Sequence, residues 1–319
     1  MSKLIANMVS IDNSYGMPYR PTVRQLEYLV MLGETGHFGE AAKRCHVSQP
    51  TLSVQIALLE DRLGCALIDR SPGKVAPTPA GAEIIASART VLHTLDGMVA
   101  MASTSQGALG GLIRLGAVPT FGPYFLPRLL PRLREAHPDL KLHIREERPL
   151  LLEEQVADGT IDCGLGQPPT DADACEFAAV CEERIFLGVP RGHRLAQRDS
   201  VDLASLAHEP LLTLGRGHRL LDTVRDLARA SGAHLVEDYE GTSLDALRQM
   251  VSIDMGLSLF PELYVRSEFR SDQNVHLLLI EDWPGARVIG FFWRRGSVRA
   301  DHYRRLAALG RAAAEGLFD

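Results

Sequence analysis

No apolar run in this chain of 319 residues approaches the roughly 20 needed to cross a bilayer. The opening stretch from Met1 to Arg20 is broken by Asn7, Asp12 and Asn13, where a secretory leader would hold a continuous apolar core. A cytoplasmic protein without a membrane partner is therefore expected. Cysteine is sparse and odd in number: Cys45, Cys65, Cys163, Cys175 and Cys181 form neither a CxxC pair nor a Cys/His cluster with zinc-finger spacing. Neither a disulfide framework nor a metal site is expected. Enzyme signatures are missing too, with no P-loop, no GxGxxG after a strand, no GxSxG elbow and no HExxH, and the eleven histidines are scattered. No cofactor and no catalytic residue is assigned. The adjacent Glu146 and Glu147 have no identifiable partner acid and read as solvation of a strand end.

What the chain does have is length for two or three modules, 45% hydrophobic and 23% charged residues, and hence packed cores. Its charge is uneven. Residues 1–106 hold 9 Lys/Arg and 9 Asp/Glu, whereas residues 107–319 hold 25 and 31, so the acidic excess lies in the C-terminal part. Phosphate attraction depends on the local field, so an N-terminal module spared that excess remains free to bind DNA.

Residues 1–17 lack periodicity and read as a flexible extension, with Met17 an alternative start. Thr22 to Gln25 form a capping box that opens a first helix, whose Leu26, Leu29, Val30 and Met31 recur at helical spacing until Gly36. A short second helix, His37 to Arg44, carries the small Ala41 and Ala42, which let a following helix approach. Ser48 then caps a third helix, with Gln49 and Pro50 in its first turn. Leu52, Ile56, Leu59 and Leu63 form its core stripe, while Pro50, Val54 and Ala57 face the other way, flanked by Thr51 and Ser53. A small, weakly polar face at a helix start fits the DNA major groove. Gln49 is the candidate base reader, its amide matching adenine bidentately, and Ser48, Thr51 and Ser53 suit phosphates or thymine methyls. Beyond Gly64, the segments Ala66–Ile68 and Lys74–Ala76 are expected as two short strands of a wing, with Arg70 and Lys74 flanking its tip near the DNA backbone or minor groove.

Thr78 caps a long helix opened by Pro79 and lasting to Gly107, with Gly81 and Gly97 its only breakers. Ile84, Ala88, Val91, Leu95, Met98 and Ala102 are spaced alternately by 4 and 3, the rhythm of a coiled-coil seam, and predict dimerisation. The rival reading packs this stripe on its own domain. Gly107, Gly110 and Gly111 suggest a flexible hinge.

From Leu112 onward strands and helices alternate: Ile113–Ala117, a helix near Pro123–Ala136, Leu140–Glu146, and a helix near Leu150–Ala157. Parallel strands with helical crossovers follow, and such sheets bind ligands beyond the strand C-termini. Pro119, Thr120 and Gly122 occupy one such crest; Gly241, Thr242 and Ser243, ahead of a helix closing at Gly256, form another.

The residues Leu26–Tyr28, Phe38, Ala41, Ala42, Val47–Ser53, Leu59, Glu60, Leu63, Gly64, Leu67, Arg70 and Thr78–Gly81 together closely resemble LysR-type transcriptional regulators. The resemblance continues to the C-terminus. It implies an α/β fold class: an N-terminal winged helix-turn-helix at residues 18–77, a long linker and dimerisation helix at 78–106, a hinge at 107–111, and a two-lobed periplasmic-binding-protein-like effector domain at 112–319. Lobe I would hold about 112–183 and 284–319, and lobe II about 184–283. Double-stranded DNA, a small-molecule effector, a homodimer or homotetramer and RNA polymerase are the partners it implies.

Val118–Thr120, Gly122–Tyr124, Leu126, Pro127, Gly217, His218 and Thr242–Leu244 resemble the peroxide-sensing OxyR branch of that family. Where the branch carries its reactive cysteine, directly after Gly217 and His218, this chain has Arg219, which forms no sulfenic acid. Its resolving cysteine is missing as well, since Thr223 to Arg229 contain no thiol. Of the branch's pocket, Thr120, His218 and Asp222 match, while Pro149 and Asp238 replace polar residues. The effector-binding set is thus Pro119, Thr120, Gly122, His218, Arg219, Asp222, Thr242 and Ser243. Arg219 either binds a carboxylate or phosphate through its planar fork or merely fills a vacated surface position. A thiol sensor built on Cys175 and Cys181 is the alternative; acidic neighbours Asp173 and Glu176 disfavour a thiolate at Cys175, and Cys163 reads as a buried strand residue. An enzyme or a transport-type binding protein is the remaining rival, and His218 reads as a pocket histidine rather than its general base.

Overall fold

A computed structural model describes residues 19–71, 75–103, 109–269 and 274–318, and divides the chain into two compact units, Met1–Leu92 and His93–Asp319. In the first unit, α1 (Val23–Thr35), α2 (Phe38–Arg44) and α3 (Gln49–Leu63) precede a small ribbon of β1 (Ile68–Asp69) and β2 (Ala76–Pro77) and the start of α4 (Pro79–Ser103). The capping box forms at Thr22 and Gln25, and Gly36 and Gly64 end α1 and α3 in left-handed conformation. Leu29, Leu32, Ala41, Leu52, Ile56, Leu59, Leu67 and Ile85 make its core.

The ribbon starts later than the sequence suggests. Glu60 Oε1 accepts the amides of Leu67 and Ile68 at 2.9 and 3.1 Å, so the Leu67 amide is turned to α3 and the ladder begins at Ile68, opposite Pro77. Thr78 secures the junction with α4: its hydroxyl donates to the Ala66 carbonyl and accepts from the Gly81 amide. Gly81 is obligatory here, because a Cβ would lie 1.9 Å from the Leu67 carbonyl oxygen.

The second unit contains the C-terminal half of α4 and a mixed sheet in the order β4-β3-β5-β12-β6-β11-β7, with β10 also pairing β6. β3 (Gly111–Ala117), α5 (Gly122–Ala136), β4 (Leu140–Glu146), α6 (Pro149–Ala157) and β5 (Cys163–Gly166) form the expected parallel strands with helical crossovers. β6 (Cys175–Pro190) then departs from that pattern by running through two cores. It pairs antiparallel with β12 (Ala286–Arg294) over Cys175–Arg184, and with β10 (Ser258–Pro261) and β11 (Val275–Ile280) over Ile185–Pro190. Phe121, Phe125, Leu165, Phe291 and Trp293 sit in the core around β3–β5 and β12, which α10 (Ala300–Ala314) covers. The other core holds Leu187, Leu214, Val224, Leu247, Phe260 and Tyr264. Around it lie β7 (Ser200–Val201), β8 (Pro210–Leu211), α7 (Arg219–Ser231), β9 (His234–Leu235), α8 (Leu244–Ser252) and α9 (Glu262–Glu268).

Of the expected hinge, Gly107 falls outside the described residues, and the part that is described makes defined contacts. Leu109 and Gly110 are buried, the Leu109 amide donates to His137 Nδ1, and the Arg299 guanidinium holds the Gly110 and Leu112 carbonyls. This segment is clamped. The end of α4 joins the same surface. Gly97 lies so close that a Cβ would meet Val298 Cγ2 at 2.8 Å, and His93 Nε2 sits 3.0 Å from Arg114 Nη1 and 3.4 Å from Asp162. Gly97 is thus a packing residue rather than a helix breaker.

Candidate functional site

The start of α3 presents the polar set assigned from sequence. His46 adopts φ +56° in the turn after α2, and the Val47 amide closes that turn on the Ala42 carbonyl at 3.0 Å. Ser48 accepts the Thr51 amide and shares a 2.7 Å contact with the Thr51 hydroxyl. Ser48, Gln49, Pro50 and Thr51 are exposed, Ser53 is half-buried, and Val54 is 63% exposed, while Leu52, Ile56 and Leu59 are buried on the other side. An amphipathic helix whose first turn offers small polar groups and an amide to solvent has the shape and chemistry that fit a DNA major groove. Sequence reasoning missed His37, whose Nδ1 accepts the Gly39 and Glu40 amides and so caps α2.

Arg70 follows β1 directly. Its Nη2 lies 2.6 Å from Glu60 and its guanidinium 5.4 Å from the Phe38 ring, while its side chain stays 41% exposed. Lys74, its expected companion, falls outside the described residues.

The seam residues of α4 divide into two kinds. Ala88 is buried and Ile84 packs against the N-terminal core, as the rival reading requires, whereas Val91 and Met98 are 45% and 56% exposed and Leu95 is half-buried. Ala102 falls outside the side chains described. Ile85, adjacent to the seam and missed by it, anchors α4 to that core.

In the second unit, the effector residues are held very unequally. Thr120 is buried, but its hydroxyl accepts from Arg287 Nη1 at 2.9 Å and its carbonyl from Nη2 at 3.0 Å. Arg287 also pairs at 2.7 Å with Glu183, whose other oxygen accepts the Leu263 amide. Glu183 is 1% exposed and Arg287 8%, so a buried ion pair on β6 and β12 takes up hydrogen-bonding capacity of Thr120. Gly122 opens α5 against Ala117, its Cβ position 2.7 Å from the Ala117 Cβ, and serves packing; Pro119 is half-buried.

His218 stands at the N-cap of α7 with 8% exposure, and its Nδ1 has no partner among the described residues. Burial and the neighbouring Arg148 charge hold this imidazole below its ordinary pKa, hence neutral. Thr213, 7% exposed, has an unpartnered hydroxyl, and its carbonyl accepts the Gly241 amide. Arg219 pairs with Glu153 at 2.6 Å and donates to the Pro168 carbonyl and Thr170 hydroxyl, each at 3.0 Å. It shares no hydrogen-bond partner with Thr120. Asp222 points outward with a 67% exposed side chain and a 3.5 Å contact to Arg225. Thr242 and Ser243 are also exposed, and Ser243 caps α8 through the Ala246 amide. For the missed Glu183–Arg287 pair the sequence offers a signal only at Arg287, a lone charge ahead of the apolar run Val288–Trp293; Glu183 is hidden in the charged run Glu182–Arg184.

The alternative thiol pair is poorly placed. Cys175 and Cys181 both lie on β6, and six residues of strand span about 20 Å against the roughly 4.4–6.8 Å between α-carbons in a disulfide. Burial, reinforced by Glu153 and Asp171, pushes the Cys175 thiol up to about 11. Burial and then Glu183 push Cys181 up to about 12, and buried Cys163 is raised well above its ordinary value.

Comparison with known proteins places both units. Residues 23–82 match the bacterial regulatory helix-turn-helix of the lysR family, and residues 106–315 match the LysR substrate binding domain. The DNA-binding transcriptional dual regulator OxyR of Escherichia coli K12 is 38% identical over 297 residues, covering 93% of this chain and 97% of the relative. A probable hydrogen peroxide-inducible genes activator of Mycobacterium avium is 34% identical, covering 91% and 94%. Full-length OxyR from Pseudomonas aeruginosa, solved as a cysteine-to-aspartate variant, aligns at TM-score 0.77 with 31% identity, covering 92% of this chain and 95% of that one. Full-length BenM aligns at TM-score 0.56 with 25% identity, covering 92% and 97%. Among the described residues no helix is long and apolar enough to cross a membrane. A helix-turn-helix with an exposed polar reading turn, followed by a sheet shared between two cores, thus belongs to the LysR family of DNA-binding transcriptional regulators, with OxyR proteins among its relatives.

Proposed function

We propose that Gln49 reads a base edge in the major groove, with Ser48, Pro50, Thr51 and Ser53 against the backbone and thymine methyls. The observation that carries this is the exposed first turn of α3, whose polar side chains bond only within that turn among the described residues. Arg70 and Lys74 act as backbone contacts of the wing. Ile84, Ala88, Val91, Leu95 and Met98 mediate dimerisation, with Val91 and Met98 the exposed part of that seam. Two dimers form a homotetramer, and RNA polymerase is its further partner. The test is DNA selected by the full-length protein from random sequence: Gln49→Ala weakens binding to the selected site about 5- to 100-fold at fixed salt, with nonspecific binding unchanged. Equal loss on both DNAs contradicts the assignment.

The effector is a small molecule held between the two cores, near His218, with Pro119, Thr120, Gly122, Asp222, Thr242 and Ser243 around it. Support comes from His218 Nδ1 and Thr213 Oγ1, buried polar atoms with spare hydrogen-bonding capacity. An anionic effector engages Arg219 only by replacing Glu153 in its ion pair, which makes such binding sensitive to salt. Retention of the full effector response by Arg219→Ala excludes the anionic form. Control is independent of the cysteine switch, because Arg219 stands where the OxyR branch keeps its thiol.

The second reading is a thiol-based redox response through Cys175 and Cys181. It is favoured by the relatives, several of which are described as hydrogen peroxide-inducible genes activators. Against it stand the raised thiols and their separation along one strand.

A further inference from the structure

A groove of about 770 Å³ opens between α6 and the loop leading into β6, with its Glu153 and Thr170 bonded to Arg219 of the assigned effector set. Leu150, Glu153, Glu154 and Ala157 form one wall, at the helical spacing i, i+3, i+4 and i+7 that puts them on one face of α6. Residues 169–175 form the other wall, bringing Pro169, Ala172, Ala174 and Cys175 as apolar surface and Asp171 and Asp173 as acids. Its volume lies within the range of sites for small organic ligands, roughly 300–1,000 Å³. Leu150 is 45% exposed in it, an apolar side chain without a cover.

The lining is mainly acidic. Four carboxylates border the groove, and two guanidinium groups bond to lining residues, Arg219 to Glu153 and Thr170 and Arg295 to the carbonyls of the loop wall. Glu153 is committed to Arg219 and to the Thr170 amide, and Asp171 Oδ1 to the amides of Asp173 and Ala174. Glu154 and Asp173 are exposed and their carboxylates bond to nothing among the described residues. Arg295 holds the loop's shape through the carbonyls of Ala172, Asp173 and Cys175, so the acids stand on a fixed wall. The groove's end already receives one cation, because the Arg219 guanidinium binds there to Glu153, the Pro168 carbonyl and the Thr170 hydroxyl.

We infer that this groove is a second small-molecule site, selective for an organic cation with an apolar body, its ammonium or guanidinium head on Glu154 and Asp173 and its body on Leu150, Ala157 and Pro169. Apolar contact supplies binding and the paired acids supply sign selectivity. The lining does not include His218 or Thr213 but shares Glu153 with the anionic form of the effector reading above, so amine binding lost in the Glu154 and Asp173 variants with the effector response kept separates the two.

The test titrates the full-length protein with phenethylammonium and with hydrocinnamate, a carboxylate of similar length, by calorimetry at low salt. Saturable binding of the amine at millimolar concentration, at least about tenfold tighter than the carboxylate, is the expected result. The double variant Glu154→Gln with Asp173→Asn should weaken it roughly tenfold with an unchanged melting temperature, since both side chains are exposed. Leu150→Ser, read separately, should weaken the amine without altering the preference for positive charge. Absence of saturation, equal binding of both probes, or amine affinity untouched by the double variant overturns the site. A change of oligomeric state in Leu150→Ser, with amine affinity intact, assigns the groove to a second copy of the chain and overturns it as well.

Discussion

The two units of this regulator hold their polar groups in opposite ways. At the start of α3 the side chains assigned to DNA are on the surface, with Ser48 and Thr51 bonded only locally. In the effector module the polar groups are engaged internally: buried Thr120 by Arg287, buried Arg287 by Glu183, half-buried Arg219 by Glu153. A surface that reads DNA keeps its donors free and exchanges water for bases. The effector module instead carries internal pairs that fix one arrangement, and leaves several buried polar atoms without a partner among the described residues, His218 Nδ1, Thr213 Oγ1 and Arg219 Nε among them.

The largest effect expected from this contrast is at Arg287. Arg287→Ala leaves Glu183 buried and unpaired, and should cost the effector module about 3–5 kcal/mol, seen as a lowered unfolding midpoint in urea. Combining it with Glu183→Leu should restore most of the loss; failure to do so would show that the pair's hydrogen bonds to Thr120 and Leu263 dominate instead.

A second difference is in acid. His93, His137, His218 and His302 of the effector module are each held below their ordinary value, foremost by burial. A base depressed in the folded state favours folding above its unfolded pKa, near 6.5, and loses that contribution as the pH falls below it. Thermal unfolding of the effector module should therefore occur at progressively lower temperature from about pH 6.5 downward. A flat profile to pH 5 would remove these histidines from the account.

The smallest effect among the substitutions belongs to Arg70. Because Glu60 already holds its guanidinium, Arg70→Ala should weaken DNA binding several-fold less than Gln49→Ala and leave stability within about 1 kcal/mol. A loss equal to that of Gln49→Ala would mean that the ion pair opens on DNA.

The elements of the first unit were legible because each carries a local signature: Thr22 with Gln25, Gly36, Ser48 with Pro50, Gly64, and Thr78 with Pro79. Such signals act within one turn of chain, and the helices follow them. The wing's register was not, since Glu60 reaches forward from α3 to take the Leu67 and Ile68 amides, a contact no local pattern announces. In the effector module the parallel β3–β5 unit was legible from alternating apolar strands and helical patterns. The passage of β6 through two cores was hidden, because it depends on which distant strands pair with each half. The same holds for the site. Sequence similarity pointed to Thr120, His218 and Arg219, yet the partners that decide their capacity, Arg287 and Glu153, stand 167 and 66 positions away. Asp222, chosen by the same similarity, turned out to face solvent.

The central claim is a LysR-type regulator whose effector module acts without a thiol switch. Its most direct test is the affinity of the full-length protein for its selected DNA site, measured for the reduced protein and after hydrogen peroxide. Equal affinity, in the native chain and in a Cys175→Ser, Cys181→Ser variant, is the result expected. A peroxide-induced shift that dithiothreitol reverses and the double variant abolishes would contradict it.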